Sequence, residues 1–218
     1  MSSRIRPLAE VPHRVRKMWE ETYRQTSYRE LPWFSPRPYA WVVRAARERW
    51  FRPGTRVLDV GCGAGTNSIF LARAGFRVSG VDLAPVAVAV ARRRAKRAGV
   101  AIDFQAADVL RLPFPSASFG GAIDVGCFHT FDRRHRPAYA RELARVLRPG
   151  ARYVLSWIAR EHSGRLGPPH RPGLDEVTAA LEDRFSFLRC EFHRGTRTEA
   201  AHFTGLLERR SRPRPPAR

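Results

Sequence analysis

An α/β fold on a doubly wound, mostly parallel sheet is what this sequence predicts, and three observations predict it. Short valine- and leucine-rich runs alternate with stretches of helical period from residue 56 onward. The first run, Val57-Leu58-Asp59-Val60, passes straight into Gly61-Cys62-Gly63-Ala64-Gly65. The second, Val78-Ser79-Gly80-Val81, ends on another acid, Asp82. Strands alternating with helices read as parallel strands joined by crossovers on both faces of a sheet. Glycines at a strand-to-helix turn let the backbone approach a ligand, because no Cβ stands in the way.

Taken in order, residues 1–12 read as a loose arm and 14–27 as a helix. Residues 31–38 contain Pro32, Pro36 and Pro38 and cannot form a long helix; they read as an extended segment presenting Trp33 and Phe34. Helical period returns over 39–51, with Trp41, Val42, Ala45 and Ala46 on one face. Strands are predicted at 56–60, 77–81, 101–105, 119–124 and 151–157, and helices at 68–74, 85–98 and 137–147. Pro85 suits a first helical turn and Gly99 a helix end. Arg148-Pro149-Gly150 is expected to stop the third of these helices. A polar stretch at 162–173, a helix at 174–182 and strands at 185–193 and 199–208 complete the chain. The expected result is a Rossmann-like, seven-stranded sheet with an antiparallel last strand. The chain then divides into an N-terminal lid with helices (1–52), an α/β domain (53–208) and a basic, disordered tail (209–218).

Composition narrows the function. No apolar run is long enough to span a membrane, and the first residues lack the apolar centre of a signal peptide. Cys62, Cys127 and Cys190 are too few for a disulfide framework and lack metal spacing, so free thiols in a reducing cytoplasm are expected. His162, His170, His193 and His202 show no ligand spacing either. The net charge of +20 raises a nucleic-acid reading. Almost all the excess is arginine, which abundant Ala, Gly and Pro tie to a GC-rich genome, and the arginines are scattered apart from residues 92–97 and the tail. A solvated helix face accounts for the first cluster.

The glycine turn points to a cofactor. The acid Asp82 at a strand tip can hold the two hydroxyls of a ribose. A dinucleotide fingerprint needs G-x-G-x-x-G; this chain has G-x-G-x-G, with Asp59 two residues before the first glycine. A carboxylate there would repel a pyrophosphate and attract a cation, such as the amino group of a methionine moiety. Asp59 therefore favours S-adenosylmethionine over NAD. The run Val57 to Gly65 closely resembles motif I of the class I S-adenosylmethionine-dependent methyltransferases. That resemblance implies that Asp59, Gly61, Cys62, Gly63 and Gly65 line the methionine end, that Asp82 with Leu83 holds the ribose, and that Asp108 with Val109 holds the adenine amine and ring. The segment Asp124-Val125-Gly126-Cys127-Phe128-His129 resembles the thiopurine methyltransferase-like and tellurite-resistance-like small-molecule enzymes. So does the upstream run Trp19-Glu20-Glu21 to Tyr23, followed by Glu30-Leu31-Pro32-Trp33, which implies a Pro-Trp lid over the cofactor. Two departures stand out: Gly120 replaces the usual aspartate of the fourth strand, and Ala84 replaces a capping serine, at a cost of about 1 kcal/mol.

The expected activity is transfer of a methyl group from S-adenosylmethionine to a small soft or anionic acceptor: a thiol, a halide, a chalcogen oxyanion or a phenol. Trp33, Asp124 and His129 are expected to face the reacting methyl, with Asp124 and His129 as catalytic candidates and His129 either a general base or a turn-shaping residue. Cys127 needs no nucleophilic role, because the cofactor donates directly. An RNA or protein methyltransferase docking through the basic tail, and a non-catalytic cofactor-binding protein, are the alternatives. A monomer or homodimer without membrane or metal partners is expected.

Overall fold

The computed structural model describes residues 11–159, 170–194 and 200–213. Helices α1 (His13–Gln25) and α2 (Ala40–Arg47) precede the alternating part. Then follow β1 (Arg56–Val60), α3 (Thr66–Arg73), β2 (Arg77–Asp82), α4 (Pro85–Arg97), β3 (Asp103–Ala106), β4 (Phe119–Val125), α5 (Arg136–Val146), β5 (Leu147–Ile158), α6 (Leu174–Leu181), β6 (Phe185–His193) and β7 (His202–Arg209).

The strands form one sheet in the order β3-β2-β1-β4-β5-β7-β6. The pairs from β3 to β5 are parallel, whereas β7 is antiparallel to both β5 and β6. Only eight residues separate β6 from β7, too few for a parallel crossover, so β7 returns as an antiparallel neighbour. It fills the gap left where β5 crosses over through α6 to β6.

Period-two alternation distributes each strand between two cores. Leu58, Ala122, Tyr153 and Leu155 meet Tyr139, Leu143, Val177 and Leu181 of α5 and α6 on one face. Val57, Ile123 and Val154 meet Trp41, Val42, Ala45 and Leu71 of α2 and α3 on the other. The face of α4 carrying Val88, Ala91 and Ala95 covers Phe104 of the edge strand.

Three local expectations change. Residues 31–38 are not extended: Phe34 N–H closes a turn onto the Leu31 carbonyl at 2.9 Å, and Leu31 is buried. The third helix of the alternating part stops at Val146, and the chain enters β5 at once; Arg148-Pro149-Gly150 form an irregularity inside that strand, where pairing shifts between Phe119 and Gly121. Arg209 and Arg210 do not belong to a disordered tail. The guanidinium of Arg209 donates to the Ala144 carbonyl, and that of Arg210 to those of Glu182 and Phe185. Residues 1–10, 160–169, 195–199 and 214–218, which include most of the N-terminal arm and of the 162–173 stretch, lie outside the described residues.

Candidate active site

The carboxyl edges of β1, β2 and β4 meet in register, with Val60 opposite both Val81 and Asp124. This edge gathers three acids. Asp59 is 2% exposed and accepts the Ser68 hydroxyl from the first turns of α3. Burial lifts its carboxyl to about 7, against the opposing Ser68 bond. Asp82 accepts Gly63 N–H on one oxygen and Ala84 N–H on the other, each at 2.9 Å. Burial raises it too, against those amide bonds. Ala84 is the N-cap of α4 and makes no side-chain cap, as its sequence implies.

The turn is left-handed at every second residue: φ is +67° at Gly61, +50° at Gly63 and +75° at Gly65. A Cβ on Gly61 would stand 2.6 Å from Cβ of Cys127, so the loop after β4 packs directly on the turn. Cys62 is buried against Ile69, Val88 and Phe104. Burial pushes both the Cys62 and the Cys127 thiols well above the usual range, which keeps them uncharged and inert.

Asp124 is fully buried, and its oxygens accept Cys127 N–H (2.8 Å), Phe128 N–H (3.1 Å) and the Tyr139 hydroxyl (2.6 Å). The chain turns sharply at Gly126 (φ +97°) into a short 3-10 turn, Phe128–Thr130, and the freed amides need an acceptor. Asp124 supplies it. Burial raises its carboxyl to about 6, opposed by the Tyr139 hydroxyl.

His129 Nδ1 accepts the backbone N–H of Ile158 at 2.9 Å, which places the ring proton on Nε2. Burial lowers its pKa to about 3. The imidazole is thus neutral, with Nε2 left as a donor.

Asp108 accepts Leu110 N–H at 2.9 Å and, on its other oxygen, Val11 N–H at 2.7 Å. Val11 is buried, so the arm is docked at that residue rather than loose. A carboxylate has about four acceptor sites, which leaves room for a further donor. Val109 is buried in the α5-side core, and Leu83 packs against it.

Trp33 is 49% exposed, so ordinary core packing does not explain it. Its indole N–H donates to the Tyr23 hydroxyl at 3.1 Å, and Trp19 meets its ring edge-on at 5.4 Å. Sequence reading missed two residues as members of the site. Tyr23 lies over the glycine turn, its hydroxyl 2.9 Å from where a Gly63 Cβ would stand. The spacing of Trp19 and Tyr23, one helical turn apart, was the available signal. Arg94, hidden in the basic run 92–97, donates to the Ala64 carbonyl and the Thr66 hydroxyl, and its guanidinium lies over Tyr28 (5.5 Å) and Phe34 (5.3 Å). It ties the turn to the lid.

Residues 57–150 match the family model of a methyltransferase domain. A structure solved in work on the conversion of a disulfide bond into a thioacetal group during echinomycin biosynthesis superposes with a TM-score of 0.79, at 26% identity over 90% of this chain and 93% of that one. The matched segment covers less than half of the chain, whereas the likeness in fold extends over nine-tenths of it. Among curated relatives, the chain is 28% identical over 146 residues to the 2-heptyl-1-hydroxyquinolin-4(1H)-one methyltransferase of Mycobacteroides abscessus, covering 65% of this chain and 63% of that protein. TehB from Haemophilus influenzae shares the fold, with a TM-score of 0.65 at 18% identity over 79% of this chain and 62% of that one. The chain spans about half the length of the curated relatives it matches, 47% for the first of them. The donor set at this edge suits S-adenosylmethionine. The edge presents buried carboxylates and a left-handed glycine turn, a poor cradle for pyrophosphate and a good one for an ammonium and a sulfonium.

No helix among the described residues is long and apolar enough to cross a membrane. No group of three or more metal-ligating side chains is found among them.

Proposed function

We propose that the protein transfers a methyl group from S-adenosylmethionine to a small acceptor that is anionic, or soft and easily ionised. The observation that carries the reading is the acid-lined glycine turn at the carboxyl edge of β1 and β2. Asp59 would hold the ammonium, Asp82 with Leu83 the ribose hydroxyls, and Asp108 with Val109 the adenine. When bound, the cofactor supplies an electrophilic methyl group.

The residues around it then align the acceptor and exclude water. Trp33, fastened to Tyr23 and braced by Trp19, would close over the turn. His129 has no free lone pair for an incoming proton, because Ile158 N–H occupies Nδ1. It can donate from Nε2 to an anionic acceptor atom. That favours acceptors ionised near neutral pH, such as acidic thiols, halides, chalcogen oxyanions and acidic phenols or N-hydroxy groups. The quinolone relative is named for an N-hydroxy substrate, which fits this class.

The test is incubation with methyl-labelled S-adenosylmethionine and a pool of iodide, hydrosulfide, tellurite, an aryl thiol, an acidic phenol and bulk tRNA. Label in the headspace or organic extract is expected. Label retained on RNA would overturn the acceptor class, and binding with no label in any fraction would favour a non-catalytic role. Asp82→Ala should weaken cofactor binding at least about tenfold; unchanged calorimetric affinity would remove the ribose assignment.

A further inference from the structure

Strand β6 ends the sheet: it pairs with β7 on one side, and no described residue pairs with the other. An open edge of this kind presents unpaired N–H and C=O groups that invite another strand. β6 also carries two of the five exposed large apolar side chains among the described residues, Leu188 (47%) and Phe192 (43%). Independently of the reaction, we infer that this edge is the contact between two copies of the chain, paired antiparallel about a two-fold axis at Cys190.

The order of side chains selects a second copy as the occupant. Leu188-Arg189-Cys190-Glu191-Phe192 runs apolar, cationic, small, anionic, apolar, so it complements itself read backwards. A two-fold axis perpendicular to the sheet keeps each side chain on its own face, so only registers centred on a residue are open to it. Centred on Cys190, the pairing sets Arg189 opposite the second copy's Glu191 and Leu188 opposite the second copy's Phe192, each twice. Centred on Arg189 or on Glu191, it sets like charges directly opposite, which destabilises. Within one chain, Arg189 Nε donates to Glu191 at 2.6 Å, and Arg44 of α2 lies 3.7 Å from the same carboxylate. One exposed pair contributes little, whereas two interleaved across the axis form a network of alternating charge. On the other face of the strand, Phe192 rests against Phe203 of β7 with ring centres 4.9 Å apart, which holds the exposed ring in place. The contact is also bounded. Pairing with β7 shifts between Phe187 and Arg189, and a bulge bends the strand away from further pairing. The opposite edge of the sheet, β3, has four residues, Asp103–Ala106, and no such self-complementary order. The contact therefore closes as a dimer and does not extend into a fibre.

The test is sedimentation velocity over a range of concentrations. The samples are the unaltered protein, Arg189→Glu, Glu191→Arg, the double reversal, and an equimolar mixture of the two single variants. The unaltered protein should reach dimer mass. Each single reversal should weaken the dimer at least about tenfold, because like charges then face each other twice. The double reversal should restore it, and so should the mixture, in which one chain brings two acids to the axis and the other two cations. Near-ultraviolet circular dichroism checks that every variant still packs. The mixture decides the case even where Glu191→Arg loses its contact with Arg44, because adding a second chain does not repair an internal contact. An unaltered protein that stays monomeric at its highest soluble concentration would overturn the assignment. So would a dimer that neither single reversal weakens, or a mixture no more associated than its components. Each of these outcomes leaves the cofactor reading intact.

Discussion

Two residues make the chemistry of the site dependent on protons in opposite ways. His129 is held neutral with Nδ1 as an acceptor. Nitrogen-15 spectra of histidine-labelled protein should show Nε2 protonated, Nδ1 unprotonated and no titration of this ring between pH 5 and 8. A ring that titrates near 6.5 would restore the general-base role. The sign for stability follows from the depressed pKa. Below about 6.5 the unfolded chain takes up a proton that the folded ring refuses, so this residue's contribution is lost progressively as pH falls towards 3. Asp59 behaves inversely. Its carboxyl is raised to about 7, so its contribution to the ligand-free fold is present below the ordinary carboxylate range and lost as pH rises through about 7. A cationic ligand reverses that balance, because it favours the ionised form. Affinity for S-adenosylmethionine should therefore fall by about tenfold between pH 8 and pH 6, and Asp59→Asn should flatten the dependence. Calorimetry at the two pH values checks this; a pH-independent affinity in the unaltered protein would remove Asp59 from the cation site.

At the scale of elements, the site is a joint between β1 and the loop after β4. Gly61 is in the left-handed region, and a Cβ there would strike Cys127 at 2.6 Å, against a segment pinned by Asp124. Gly61→Ala should cost about 1–3 kcal/mol from overpacking alone, with backbone strain in addition. It should also weaken cofactor binding, because the turn and the segment 124–130 must separate. Urea unfolding with parallel calorimetry reads both; a stability within 0.5 kcal/mol, the range of neutral surface changes, would show that the joint gives way freely. The lid was only partly legible in the sequence. Its residues were visible in the aromatic run around Trp33. Its shape was not, because the turn at residues 31–34 depends on Leu31 finding a pocket beside Ala84 and Ala87. Arg94 was hidden for a related reason: a basic run on a helix looks solvated until the facing segment is placed.

At the scale of the whole molecule, the far edge of the sheet depends on residues that composition alone assigns to a tail. Arg209 and Arg210 cap carbonyls of α5, of the α6 end and of β6. A chain ending at Arg210 should melt within about 2 °C of the full one, whereas ending at Glu208 should lower the midpoint by several degrees, as a loss of about 1–2 kcal/mol implies. Equal midpoints for the two truncations would show that these guanidiniums contribute nothing. The same comparison bears on the RNA alternative: the two arginines nearest the fold are spent on its own carbonyls and cannot serve as a docking arm.

What the sequence by itself determined is whatever rests on short-range rules. Left-handed backbone at Gly61, Gly63 and Gly65 needs glycine. Period-two burial needs alternating apolar residues, and a strand-tip acid needs only its own strand; so the sheet, the turn and the places of Asp59, Asp82 and Asp108 were all readable. What only the tertiary structure decided is which partner each polar atom takes. Val11 meets Asp108 across 97 positions and Ile158 meets His129 across 29. Hydrogen bonds saturate, and each one made to the protein removes a lone pair or a proton from the chemistry. Asp124 and His129 look alike as catalytic candidates in one dimension. They part in three, where backbone amides claim Asp124 as a cap and leave His129 a donor.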